Sequence, residues 1–222
     1  MNYTTKFSTV FSAIALALLL TVSFSGNAAA TSIFSDNFNT DNGSTGVLNY
    51  GSTTNVIPNW TITHGTIDLI GQGTQWDFFP NNGLYLDMDG STNAAGTIKS
   101  SLINFTPGNY TLTFDLAGSA RDGYPQETLN LLVGNSTGNL VDNFYTLTST
   151  APYGLFTATF TVAQEQQGNI IFSESGGSNV GMILDNVNLE RQSAPVPEPG
   201  TMMLLGAGLL GLVIYGKRRK NA

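Results

Sequence analysis

The sequence predicts an all-β protein, an antiparallel β-sandwich of the jelly-roll kind, held between two terminal segments of different character. Three observations point to it. Period-2 alternation of apolar and polar residues recurs through the middle of the 222-residue chain. Clusters of Gly, Asn, Ser and Pro separate those runs at short intervals. Thr, Tyr, Phe, Val and Ile, which suit a pleated, half-buried surface, fill the same middle region, while helix formers are scarce there.

At the N-terminus Lys6 is the only charge before an apolar run from Phe7 to Phe24, after which Ala28 and Ala30 stand in a small-x-small arrangement. Those parts in that order make a secretory signal peptide over residues 1–30, handled by the Sec export machinery and cleaved after Ala30. The other reading of the run is an uncleaved membrane anchor.

Residues 31–193 form the sandwich domain. Trp60 lies in an alternating run that ends at His64, which places Trp60 in the core. Gly83-Leu-Tyr-Leu-Asp-Met-Asp-Gly90 reads as a strand ending in an Asp-Gly turn. Residues 110, 112, 114 and 116 are apolar with polar residues between them, and Phe156 to Val162 repeats the pattern with three threonines facing out. Leu129, Leu131 and Val133 make a third apolar row. The segments 168–172 and 180–184 are apolar on both faces, as central strands are. Turn signals fall at Thr106-Pro-Gly-Asn109, Arg121-Asp-Gly123, Gly134-Asn-Ser136 and Ser175-Gly-Gly-Ser178. This span carries Lys99, Arg121 and Arg191 against fourteen carboxylates, a net charge of −11. Such a surface repels phosphate backbones, so nucleic acid is excluded as a partner. The absence of cysteine excludes disulfides, thiolate metal sites and a cysteine nucleophile.

The Pro-rich stretch 194–200 cannot join a helix or a sheet, because its prolines fix φ and remove amide donors. Residues 201–216 are then apolar and uncharged, and the tail 217–222 opens with Lys217, Arg218, Arg219 and Lys220. An apolar helix followed by four cations stops in a membrane with its tail in the cytoplasm. Sixteen residues rise about 24 Å as a helix, short of the roughly 30 Å hydrocarbon core, so the expected span is marginal and suits a transient anchor.

Val-Pro-Glu-Pro-Gly, a Gly-rich apolar helix and a basic end together resemble the PEP-CTERM sorting signal of exported proteins of Gram-negative, polysaccharide-producing bacteria. The resemblance implies recognition by an exosortase, a membrane cysteine protease that cuts near Pro197, Glu198 and Pro199. An ordinary single-pass anchor on a proline-rich stalk is the alternative. In the middle, Pro107–Asp115, the closing Met182–Leu189 and Gly83–Gly90 resemble galactose-binding-like jelly rolls, as shared by the DUF642 family and several carbohydrate-binding modules. Function belongs to sites rather than folds, so this implies the architecture first.

No catalytic set stands out. His64 is the single histidine, there is no nucleophile elbow and no His-Glu-x-x-His, and sequence alone cannot pair carboxylates across a cleft, so the protein is read as a non-enzyme. Sugar recognition needs flat rings beside amides and carboxylates. Trp76, in the polar run Gln72–Asp77, and Tyr124, beside Arg121 and Asp122, are the candidates, and each is equally a packing residue at the edge of a core. A structural calcium ion, which the jelly-roll resemblance implies between the first and last strands, would fall near Asp36 and Asp185; the competing reading of Asp185 is a buried carboxylate satisfied by backbone donors. These features give an exported envelope or extracellular-matrix protein that binds polysaccharide without cutting it. The alternative is a purely structural, glycosylated matrix protein with no specific ligand.

Overall fold

A computed structural model describes residues 30–51, 57–192 and 201–220. Ala28, the rest of the signal segment and the motif residues Pro197, Glu198 and Pro199 lie outside the described residues. The chain divides into two units, Ala29–Ser193 and the terminal segments, and each is described by itself.

The first unit is an antiparallel sandwich. One sheet runs in the order β11 (Gly154–Val162), β8 (Gly108–Ala117), β13 (Ile183–Gln192), β5 (Leu84–Asp87), β4 (Ile67–Gly71) and β2 (Val47–Tyr50), with β1 (Thr31–Asp36) also paired to β13. The other runs β10 (Gly138–Leu147), β9 (Glu127–Asn135), β12 (Gln166–Ser175), β6 (Thr97–Ser100) and β3 (Trp60–His64), with β7 (Ile103–Phe105) on β12.

The alternating runs are what the two sheets bury against each other. Tyr110, Leu112, Phe114 and Leu116 face Leu129, Leu131, Ile170 and Phe172 in one core that also holds Trp60. Phe114 of β8 meets Phe172 of β12 edge-on at 5.1 Å, closing the core across the sandwich. Burial of each such side chain is worth about 1.5–3 kcal/mol. The threonines of β11 point outward as the period requires. His64 ends β3 and is exposed.

Two departures from the expected pattern bear on the site. β4 and β5 are buried along their whole length, because a second apolar cluster of Ile70, Tyr85, Ala117 and Ile183 lies outside the first sheet under Phe78, Phe79 and Tyr153. Val180 and Met182 are buried as expected, yet they are not strand. The last strand starts only at Ile183, since the amides of Gly181 and Met182 donate to the carboxylates of Asp87 and Glu174 instead of to a ladder.

In the second unit α1 spans Thr201–Lys220. It does not end at residue 216 but continues through Lys220. Among the described residues no helix is long and apolar enough to cross a membrane. The uncharged run is only residues 201–216, and Lys217 and Arg218 follow it directly.

Candidate functional site

The β4–β5 connection builds one wall of a concave surface. At its start Thr74 Oγ1 donates to Gly71 O at 2.8 Å and accepts from Trp76 N at 3.1 Å, turning the chain sharply out of β4. At its far side the buried Tyr85 of β5 accepts from Phe78 N at 2.7 Å and Phe79 N at 3.1 Å, and it donates to Asp77 Oδ1 at 3.3 Å. Burial, set against those two amide donors, pushes this phenol up to about 12, so it remains a donor at any physiological pH. Phe79 packs edge-on against Tyr153 at 4.5 Å.

Behind this loop, Asn39 and Ser44 from the β1–β2 connection meet Gln72, Asn81 and Asn82 around a cleft of about 590 Å³. Asn39 Oδ1 accepts from Leu84 N at 2.7 Å, which locks the cleft wall to β5. Gly83 sits at φ +79°, and a Cβ there would fall on the Asn39 carboxamide, so the wall requires glycine. Four carboxamides and a hydroxyl, with no ionised group among the lining side chains, make a surface matched to neutral hydroxyls.

The four side chains expected to contact sugar take different places. Trp76 is 41% exposed on the same loop but outside the cleft's lining, with its ring 6.2 Å from Phe78. Arg121 is a buttress: its guanidinium lies 4.4 Å above the Phe78 ring, Nη2 pairs with Asp87 at 2.8 Å and Nη1 donates to Asn179 O at 3.2 Å. Asp122 accepts from Gly123 N at 2.9 Å, and it and Tyr124 project from the β8–β9 connection without lining the cleft. Thus Trp76 and Arg121 are joined through Phe78, and Asp122 and Tyr124 stand apart. The carboxamides were missed because loop asparagines carry no periodic signal.

A second depression, of about 340 Å³, lies where β1 leaves the sheet beside β13. Asp36 Oδ1 accepts from Phe38 N at 2.9 Å, and its Oδ2 accepts from Trp60 Nε1 at 3.0 Å and Asn59 Nδ2 at 3.2 Å. Asp41 is buried beside it, and its Oδ2 has no hydrogen-bond partner. Burial first, then the nearby Asp36, pushes the Asp41 carboxyl up to about 7. Asn186, at φ +50° in a β-bulge of β13, also lines this depression. Asp185 does not: its carboxylate turns to Asn186 N at 2.7 Å, and burial raises it to about 7. Of the two carboxylates expected here, Asp36 lines the depression and Asp185 does not, while Asp41, which the sequence did not single out, lies beside Asp36. Two carboxylates with flanking amide oxygens are the donor set of a hard cation such as calcium, and the orphaned Asp41 oxygen has the chemistry to join it. No group of three His, Cys, Asp or Glu among the described residues is arranged to hold a metal, so amide and carbonyl oxygens would complete any such shell.

Comparison with known proteins bears on both units. The model of a family described as "Protein of unknown function (DUF642)" matches residues 33–190, and that of the "PEP-CTERM protein-sorting motif" matches residues 195–220. No curated protein matches the sequence. Among solved structures, the chain is similar to one described as "CBM4 structure and function", at 14% identity over 70% of this chain and 99% of that one, with a TM-score of 0.45. It is similar also to the CBM22-1 xylan-binding domain from Paenibacillus barcinonensis Xyn10C, at 12% identity, 75% and 97% coverage and a TM-score of 0.44. A third is TmCBM61 in complex with beta-1,4-galactotriose, at 12% identity, 60% and 88% coverage and a TM-score of 0.44.

Proposed function

The chain belongs to the DUF642 family and carries a PEP-CTERM sorting motif, and on that premise we propose that it is an exosortase-processed protein of the cell envelope or extracellular matrix whose sandwich binds neutral polysaccharide without cleaving it. The motif marks an exported, surface-directed protein. In this reading the signal peptide directs Sec export and the exosortase cuts near Pro197–Pro199. An extended, proline-held linker suits a protease cleft, which binds backbone as a strand.

The observation that carries the binding role is the carboxamide-lined cleft on the loop that also displays Trp76. Amides bond hydroxyls in both directions, and an exposed indole stacks on the apolar face of a pyranose. Affinity electrophoresis of the full chain in gels containing neutral β-glucans, xylans and galactans tests it. At least one polymer is expected to retard the protein. Trp76→Ala and Asn82→Ala are expected to weaken that retardation about tenfold or more, roughly 1.4 kcal/mol, with the circular dichroism of the sandwich unchanged. Absence of retardation by every polymer would leave the structural-matrix role.

A calcium ion at Asp36, Asp41 and Asn186 would tie the first strand to the last and stabilise the fold by binding only the folded state. Millimolar calcium is expected to raise the melting temperature, EDTA to reverse the gain, and Asp41→Asn to abolish it.

A further inference from the structure

Four carboxylates meet at the end of the sandwich where the β12–β13 connection crosses, away from both concave surfaces: Asp87 at the end of β5, Asp89 in the β5–β6 connection, Glu127 at the start of β9 and Glu174 at the end of β12. All are buried. The connection, residues 176–182, is docked onto them through its own amides. Gly177 N and Ser178 N donate to Asp89 Oδ2 at 2.7 and 2.8 Å, Gly181 N donates to Asp87 Oδ1 at 2.8 Å, and Met182 N donates to Glu174 Oε1 at 2.8 Å. Asp87 Oδ2 takes the Arg121 guanidinium. Two oxygens in the cluster have no partner, Asp89 Oδ1 and Glu174 Oε2, on side chains 0% and 7% exposed.

Several buried carboxylates facing one guanidinium cannot all ionise at low cost; a further cation must enter or protons must stay. The space decides which. A Cβ at Gly181 would lie 2.5 Å from Glu174 Oε2, 2.7 Å from Asp87 Oδ1 and hard against the amide of Asp89, so the glycine itself fills the gap between the two carboxylates. No three of these groups converge at metal-ligand spacing among the described residues. A proton fits where a metal ion does not.

We propose that the β12–β13 connection is an acid-held latch, docked on Asp87, Asp89 and Glu174 while Glu174 carries a proton and released as that proton is lost. The electrostatics support it. Burial holds the Glu174 carboxyl well above the ordinary range, with Asp87, Glu127 and Asp89 adding to the rise and the Met182 amide opposing it. Glu127 is raised by burial and by Asp89. Asp68 of β4 acts from behind on Asp87, and among the described residues Arg121 is the cation that opposes the group. Ionisation of Glu174 places a further charge among these carboxylates, and the connection is the loop whose amides close over them. The latch stands whether or not the cleft binds sugar.

Hydrogen exchange of the full chain at pH 5.5 and pH 8.5, corrected for intrinsic rates, tests this. The peptide covering 176–182 is expected to lose about tenfold in protection at the higher pH, the change that one unit of pKa difference produces, while peptides from β8 and β9 change little. Glu174→Gln keeps an acceptor for Met182 N and cannot ionise, so its protection should be level across pH. Glu127→Gln removes a like charge and should move the midpoint of the loss to lower pH. Equal protection of the wild type at both pH values overturns the latch, as does an undiminished loss in Glu174→Gln or an unmoved midpoint in Glu127→Gln.

Discussion

Tyr85 shows how a residue with no solvent exposure shapes the surface. Its hydroxyl receives the amides of Phe78 and Phe79 and thereby fixes the loop that carries Trp76. Tyr85→Phe keeps the ring's packing and strands two amides, so a loss of about 1–3 kcal/mol is expected in urea unfolding, together with weaker polysaccharide retardation. Arg121 acts on the same loop from the other side, holding Phe78 to Asp87. From sequence, the Arg121-Asp122-Gly123 turn beside Tyr124 had the composition of a sugar contact. In the fold Arg121 contacts Asp87 and Phe78, thirty or more positions away along the chain. No local pattern encodes such a partner.

At the scale of elements, the strands were the most legible part. Alternation over 110–116, 129–133 and 156–162 reappears as β8, β9 and β11, extended by a few residues at their ends. β10 was not legible: Val141 is its buried residue, and Asp142, Asn143 and Phe144 are exposed, as befits an edge strand with little apolar face to mark it. The β12–β13 connection misled in the opposite direction, since its apolar residues are buried by loop packing and not by pleating. Gly181 is its pivot. Gly181→Ala forces a methyl group between Glu174, Asp87 and the amide of Asp89, and a loss of about 1–3 kcal/mol from overpacking is expected by thermal unfolding. Truncation in the sheet interior should cost more: Leu112→Ala opens a cavity between the sheets and is expected to cost about 2–5 kcal/mol.

For the whole molecule, the buried carboxyls set the pH dependence. Asp41, Asp87 and Asp185 are each raised to about 7, chiefly by burial, and burial also holds Glu174 well above the ordinary carboxylate range. The folded state thus retains protons that the unfolded chain has released above about pH 4–5. Stability falls where the folded state binds more protons, so it should decline as pH rises from about 5 toward 7, with the full cost present at alkaline pH. Urea midpoints at pH 5 and pH 8 check the sign, and a protein more stable at pH 8 would show that these groups are ionised in the fold.

The sequence by itself determined the fold class, the long strands of the core and the sorting motif, because each is written in short-range pattern: a period of two, turn residues, or a contiguous run of prolines, apolar residues and cations. Only the tertiary structure decided which polar residues act together. The carboxamide cleft gathers Asn39 with Asn82, the depression beside β1 gathers Asp36 and Asp41 with Asn186, and the acid cluster gathers Asp87 with Glu174. Those groupings follow from strand order and register, which place residues far apart in the chain side by side, and from burial, which gives a carboxylate a proton that no reading of its neighbours in sequence reveals.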